Sequence, residues 1–186
     1  MGRSARGGFA DVLQLVTIVA GALVVALLLR AFVCEPFVIP SKSMTDTLMV
    51  GDRVIGEKLS YRTRTPEAGE IVTFVDPKDS SQILIKRVIA TAGQTVELRD
   101  GHVVVDGSVL DEPYTEGKPS EPLSGHAASL DEDVSFPYTV PEGCVWVMGD
   151  NRTNSLDSRY FGAVPIASIT SHAVFKFWPL SDIGTL

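Results

Sequence analysis

Residues 12–29 read VLQLVTIVAGALVVALLL, an apolar run interrupted only by Gln14 and Thr17. At helical rise those eighteen residues span about 27 Å, close to the hydrocarbon thickness of a bilayer. A buried core helix would be the alternative, but no polar face appears over more than four turns. The run therefore predicts a membrane helix, taken here as residues 9–33. It is too long for the apolar part of a cleaved signal peptide, and no small-x-small site follows it. Val33 stands where a small residue would precede a lipidated Cys34. Residues 1–8 are small, polar and basic and read as a tail. Arg3 and Arg6 precede the run and Arg30 and Lys42 follow it, so charge leans only slightly toward a cytoplasmic N-terminus.

From Cys34 the pattern changes to short strands with turn punctuation, the mark of a mostly β domain over residues 34–186. Glu35–Ile39 reads as extended, with Pro36 and Pro40 holding their neighbours out of the helical region. Strands are expected at Gly51–Ile55, Glu70–Val75, Gln82–Ala90, Thr95–Leu98, Gly143–Met148 and Ser168–Trp178. Asp100-Gly101 and Asp106-Gly107 bracket a hairpin strand. Residues 111–139, rich in Pro, Gly, Ser and acid, read as an exposed excursion. The net charge is −7, and residues 1–30 contribute +2, so the body carries −9. An acidic body argues against nucleic-acid binding, which needs cations facing phosphate. Cys34 and Cys144 cannot form a disulfide framework; two free or buried thiols are expected.

Three polar segments carry the chemistry. Ile39-Pro40-Ser41-Lys42-Ser43-Met44 places two serines on a turn. Ile85-Lys86-Arg87-Val88 sets a lysine in an apolar run. Gly149-Asp150-Asn151-Arg152-Thr153-Asn154-Ser155-Leu156-Asp157-Ser158-Arg159 is dense in hydrogen-bonding groups. A serine hydroxyl is a weak nucleophile until a neighbour takes its proton. A lysine can do so only when neutral, and apolar burial lowers its pKa. Strand alternation puts Lys86 on one face with Leu84 and Val88, and Arg87 on the other as a solvated residue. Other nucleophile signatures are missing: no Ser-x-x-Lys, no Gly-x-Ser-x-Gly and no His-Glu-x-x-His. His102, His126 and His172 each lack a companion motif for a Ser-His-Asp triad.

Taken in order, the three segments resemble the type I signal peptidases, the membrane-anchored Ser/Lys endopeptidases of bacteria. The resemblance runs from the apolar helix to Trp178. It implies Ser43 as nucleophile and Lys86 as general base, with Ser41 and the Ser43 N–H as oxyanion hole. It further implies that Ser155 orients the lysine and that Asp157 and Arg159 form a structural ion pair, with Asp150, Asn151 and Arg152 completing the signature. Phe37, Ile39, Pro40, Met44, Leu48, Leu84 and Ile85 are implied around the substrate pockets. The implied fold is a coiled antiparallel-sheet domain whose apolar face rests on membrane lipid. The N-terminus would be cytoplasmic and the catalytic domain outside. The implied partners are secretory preproteins, cut after a small-x-small site, with no metal, cofactor or nucleic acid. Mitochondrial and thylakoid relatives share the pattern. Asp46 stands where the family usually has proline, and is expected to cap the following turn and face solvent. Ala90, Ala92 and Gln94 also depart, which touches loop geometry. A non-catalytic anchored β domain is the competing class; self-cleaving Ser/Lys repressor domains share the dyad but lack a membrane helix.

Overall fold

The computed structural model describes residues 5–121 and 134–186. Helix α1 (Ala5–Phe32) contains the apolar run; Ala10–Phe32 has a mean hydropathy of 2.7, and its apolar residues are exposed, only the C-terminal end of the helix meeting the rest of the described chain. A helix that is apolar all round and uncovered fits a single-pass membrane span.

In the rest of the described chain the regular structure is mainly antiparallel strand: β1 (Cys34–Val38), β2 (Arg53–Glu57), β3 (Ile71–Val75), β4 (Ile83–Thr91), β5 (Thr95–Arg99), β6 (His102–Val105), β7 (Ser108–Val109), β8 (Tyr138–Thr139), β9 (Cys144–Met148), β10 (Val164–Pro165), β11 (Ile169–Trp178) and β12 (Gly184–Thr185). One helical turn, α2 (Ser158–Phe161), precedes β10. The larger sheet runs β1-β2-β11-β3-β4-β9-β10 with β12 on β11, and the smaller runs β7-β6-β5-β8. The two Asp-Gly pairs close two-residue hairpins, since Arg99 pairs with His102 and Val105 with Ser108. Both residues of each turn have positive φ (52° and 79°; 50° and 82°), the conformation that matches strand twist and that Asp-Gly adopts at low cost. The strand expected at Gly51–Ile55 begins later, at Arg53. Gly51 has φ 93° and the Asp52 carboxylate accepts the Met49 N–H at 2.9 Å, so both belong to the turn before it.

The apolar core falls into three clusters. One joins Ile39, Met44 and Leu48 to Val54, Ile71, Ile85 and Ala173, and so roots the Ser41–Ser43 turn in the sheet. The second lies under β3, β4 and β9, around Val72, Phe74, Val88 and Val147. The third surrounds Trp146 and joins the two sheets through Val96, Val103 and Val140.

The described parts of residues 111–139 are more than an exposed excursion; residues 122–133 lie outside the described residues. Thr115 and Ser120 are buried. Glu112 takes a two-point ion pair from Arg152 at 2.8 and 2.5 Å, and Ser120 Oγ accepts from the same guanidinium at 2.6 Å. The Tyr114 ring lies under Arg87, 4.1 Å from the guanidinium carbon. Phe136 and Tyr138 pack on Trp146. Glu112, an acid that reads as solvent-facing, serves as the counter-charge for a buried arginine. Arg152 is fully buried, so Glu112→Ala leaves it unpaired and is expected to cost about 3–5 kcal/mol. Urea unfolding of the detergent-solubilised protein measures this; an unchanged midpoint would return the segment to the surface.

Candidate active site

Ser43 sits in a single turn of 3-10 helix, Lys42–Met44, between β1 and β2. Short turns of this kind are held by what surrounds them. Met44 and Leu48 are fully buried and anchor the loop from below. From the third polar segment, Asn151 Nδ2 donates to Lys42 O at 2.9 Å and the Asn151 N–H to Ser43 O at 3.1 Å. The Thr47 hydroxyl donates to Asp150. Lys176, on β11, donates to Thr47 O at 3.3 Å.

Strand β4 brings Lys86 to this loop. Its Nζ donates to Ser43 Oγ at 2.8 Å and to Ile85 O at 2.9 Å, and Ser41 Oγ lies 3.3 Å from Ser43 Oγ. Lys86 is only 3% exposed. Burial, which disfavours the ammonium, pulls its pKa from 10.5 down to about 8; the negative charges of Asp157 and Asp150 push the other way without prevailing. With the amine neutral the contact reverses: the Ser43 hydroxyl donates to the Nζ lone pair, which is the geometry for removing its proton.

Those two carboxylates are each answered by an arginine. Arg159 grips Asp157 through Nε at 2.9 Å and Nη2 at 3.0 Å, both residues being buried. Burial raises the Asp157 pKa, but the Arg159 guanidinium and the Gly149 N–H (3.0 Å) lower it further, so it stays ionised. Arg87 grips Asp150 at 2.9 and 2.6 Å. Arg87 therefore is not the solvated residue its strand position suggested; its side chain is 11% exposed and its partner completely buried. Gly149 separates the loop from the third segment. A Cβ there would collide with Ser155 Oγ and with Ser43 O, so only glycine allows the approach.

Two depressions open beside the dyad. One of about 70 Å³ is lined by Phe37, Val38, Ile39, Pro40, Thr73, Ile83, Leu84 and Ile85. The other, about 240 Å³, is lined by Ser41, Lys42, Ser43, Leu84, Lys86, Asn154 and Leu156. Leu84 stands between them.

The family model described as signal peptidase, peptidase S26, matches residues 12–178. The chain belongs to that family. A probable signal peptidase I-1 of Synechocystis is 45% identical over 172 residues, covering 89% of this chain and 82% of the relative. Signal peptidase I of Mycobacterium tuberculosis is 34% identical, covering 89% and 72%. Thylakoidal processing peptidase 1 of Arabidopsis thaliana is 39% identical, covering 88% of this chain and 47% of the longer plant protein. The chain is thus a signal peptidase of the serine peptidase kind, a hydrolase whose family works through a Ser/Lys dyad.

Within this signal peptidase the expected residues divide. Ser41, Ser43 and Lys86 meet, and Asp157 pairs with Arg159. Ser155 does not hold the lysine: its hydroxyl is buried against Gly149 and has no hydrogen-bond partner among the described residues. Phe37, Ile39, Pro40, Leu84 and Ile85 line the depressions, whereas Met44 and Leu48 line neither, because their side chains turn down into the core. Asp46 caps no turn; it pairs with Lys118 at 2.7 Å. Cys34 and Cys144 are free thiols. His172 lies between Glu57 and Glu70 rather than beside Ser43. Arg87, Asn154 and Leu156 carry no sequence signal as site residues; only the strand register and the loop path bring them in.

The lysine leaves a thermodynamic mark. Its folded pKa lies below the ~10.4 of a free side chain, so between about 8 and that value the folded state binds fewer protons. Stability should rise with pH across this window. Lys86→Met, of similar length and uncharged, should therefore gain most over the native protein near pH 7 and progressively less toward pH 10. Urea midpoints across that range check it; a difference independent of pH would mean that the amine is not perturbed. Gly149→Ala should abolish activity with secondary structure intact, read by peptide cleavage and circular dichroism.

Proposed function

We propose that this signal peptidase removes signal peptides from exported preproteins, cutting after a small-x-small site, with Ser43 as nucleophile and Lys86 as general base. The observation that carries the reading is the 2.8 Å contact between a buried, pKa-lowered amine and the serine hydroxyl. Neutral Lys86 takes the Ser43 proton as Oγ attacks the scissile carbonyl. The resulting oxyanion is received by the Ser43 N–H and the Ser41 hydroxyl, which turns from Ser43 Oγ to face it. Collapse breaks the C–N bond, and the Lys86 ammonium gives its proton to the departing amine. A water then repeats the sequence on the acyl-serine and frees the signal peptide as a carboxylate. Asp157–Arg159 and Asp150–Arg87 act as positioning pairs beneath the dyad, and Ser155 acts by close packing against Gly149.

Substrate binding follows from the sheet. β4 pairs with β3 from Ile83 to Arg87, but its pairing with β9 begins only at Arg87. The other edge of Ile83–Lys86 is therefore unpaired by any described strand and faces the β1 side of the smaller depression. An extended peptide can add there by main-chain hydrogen bonds. Alternation then sends every second side chain into the wall of Phe37, Ile39, Leu84 and Ile85, where little more than a methyl fits. In the proposed topology the N-terminus is cytoplasmic, α1 spans the membrane, and the domain from Cys34 lies outside it with its apolar side on lipid.

Ser43→Ala and Lys86→Ala should each abolish cleavage of a preprotein, with the double variant no worse, because the two act as one unit. Lys86→Arg should be equally inactive, since a guanidinium stays protonated; activity in either alanine variant would refute the dyad. For the native enzyme kcat/KM should climb with pH through about 8, the neutral amine being the competent form. A climb near pH 4–5 would mean a carboxylate base instead. In a peptide series varying only the residue before the cut, each added methylene should cost about 1–3 kcal/mol of transition-state binding. Equal cleavage after Leu and Ala would refute the small pocket.

A further inference from the structure

The C-terminal end of a helix exposes carbonyls without intrahelical partners, and in a membrane helix meeting a soluble domain these are ordinarily left to water or headgroups. Here the domain supplies the partners. Lys58 Nζ donates to Arg30 O at 3.3 Å and Arg62 Nη2 to Phe32 O at 3.1 Å. The Lys58 N–H donates to Val33 O at 2.8 Å. Glu35, the second residue of β1, sits 2.7 Å from the Lys58 ammonium and 3.9 Å from the Arg30 guanidinium. The segment carrying the two cations is itself shaped by Glu57, whose Oε2 accepts the Leu59 and Ser60 N–H groups at 2.9 and 3.1 Å. Cys34 on β1 pairs with Glu57 on β2. Helix end, start of β1 and end of β2 are thus tied together in one joint by these contacts, and the cations also complement the helix dipole.

Ser43 lies eleven residue steps beyond Phe32. A loose chain of that length could place the serine anywhere within roughly 36 Å of the helix. The joint removes that freedom, and β1 carries it forward as a stiff arm to the serine turn. We propose that Lys58 and Arg62 form a clamp that fixes the height of Ser43 above the membrane surface, and thereby selects how many residues may separate a preprotein's apolar segment from its cleavage site. The proposal rests on the membrane-bound reading above. Both residues lie outside the dyad and the substrate depressions, so they act on the position of the cut rather than on its chemistry.

The test uses the full-length enzyme in phosphatidylglycerol-containing vesicles. The substrate is a preprotein whose apolar segment is followed by an uninterrupted alanine run, which offers overlapping small-x-small registers. Product N-termini read by mass spectrometry report the position of the cut. The native enzyme is expected to give one dominant position. Lys58→Ala with Arg62→Ala should spread the product over neighbouring positions, by one residue for every ~3.3 Å of lost height control. Cleavage of a short soluble peptide should be unchanged, and Lys58→Arg should keep the native position. Loss of soluble-peptide cleavage would indicate damage to the domain, and two glycines inserted between Val33 and Cys34 then replace the double variant, since every domain side chain remains. An unshifted, unbroadened product pattern in the insertion variant overturns the clamp. Failure of the native enzyme to cut the preprotein at all would instead count against the signal-peptidase reading itself.

Discussion

Everything around Ser43 depends on keeping one amine out of water. An exposed lysine would be charged at neutral pH and useless as a base. In Lys86 the charged form is weakened because β4 carries the side chain inward between apolar neighbours and the serine turn closes over it, which brings its pKa down to about 8 and leaves a neutral fraction near neutral pH. The cost of burying an ammonium is avoided largely by lowering its pKa, so the same burial that opposes the charged form creates the reactive one. The local arrangement follows from this requirement: a buried loop, a lysine on a central strand, and no carboxylate in direct contact with the amine.

The third polar segment reads differently in that light. Asp157 and Asp150 are close enough to favour the lysine's charged form, against the larger effect of burial. Each is neutralised by a two-point arginine, Arg159 and Arg87, while still serving as an acceptor: for the Gly149 N–H in one case and the Thr47 hydroxyl in the other. The segment can therefore bind the Ser41–Ser43 turn tightly without leaving a bare carboxylate beside Lys86. Arg152 extends the same logic outward, tying Gly149 O to Glu112 and Ser120. A polar network next to a neutral lysine is tolerable only when its charges are paired.

Much of this was legible in the residues. The apolar run, the strand pattern from Cys34 and the two Asp-Gly hairpins follow from periodicity and turn chemistry. Lys86 stood out because a lysine inside ILIKRVIA conflicts with ordinary strand composition. Three things were not legible. The partner of Arg152 lies forty residues away in a segment whose composition reads as surface, and nothing local marks Glu112 as its counter-charge. Met44 and Leu48 are apolar and flank the serine, yet whether such residues point to a pocket or to the core depends on the turn's exact path. Ser155 matched a family position, but its hydroxyl lies close over Gly149 and makes no hydrogen bond to Lys86, a placement that sequence does not report.

If substrates add to the free edge of Ile83–Lys86 as proposed, a broader consequence follows. A binding site that grips main chain reads what all polypeptides share, and the walls beside it act only by refusing bulk. Recognition of this sort asks a client for no particular side chain, merely for the absence of large ones at two places. Clients can then drift in sequence almost without limit while remaining acceptable, and a single enzyme can serve an entire exported set whose members have nothing else in common.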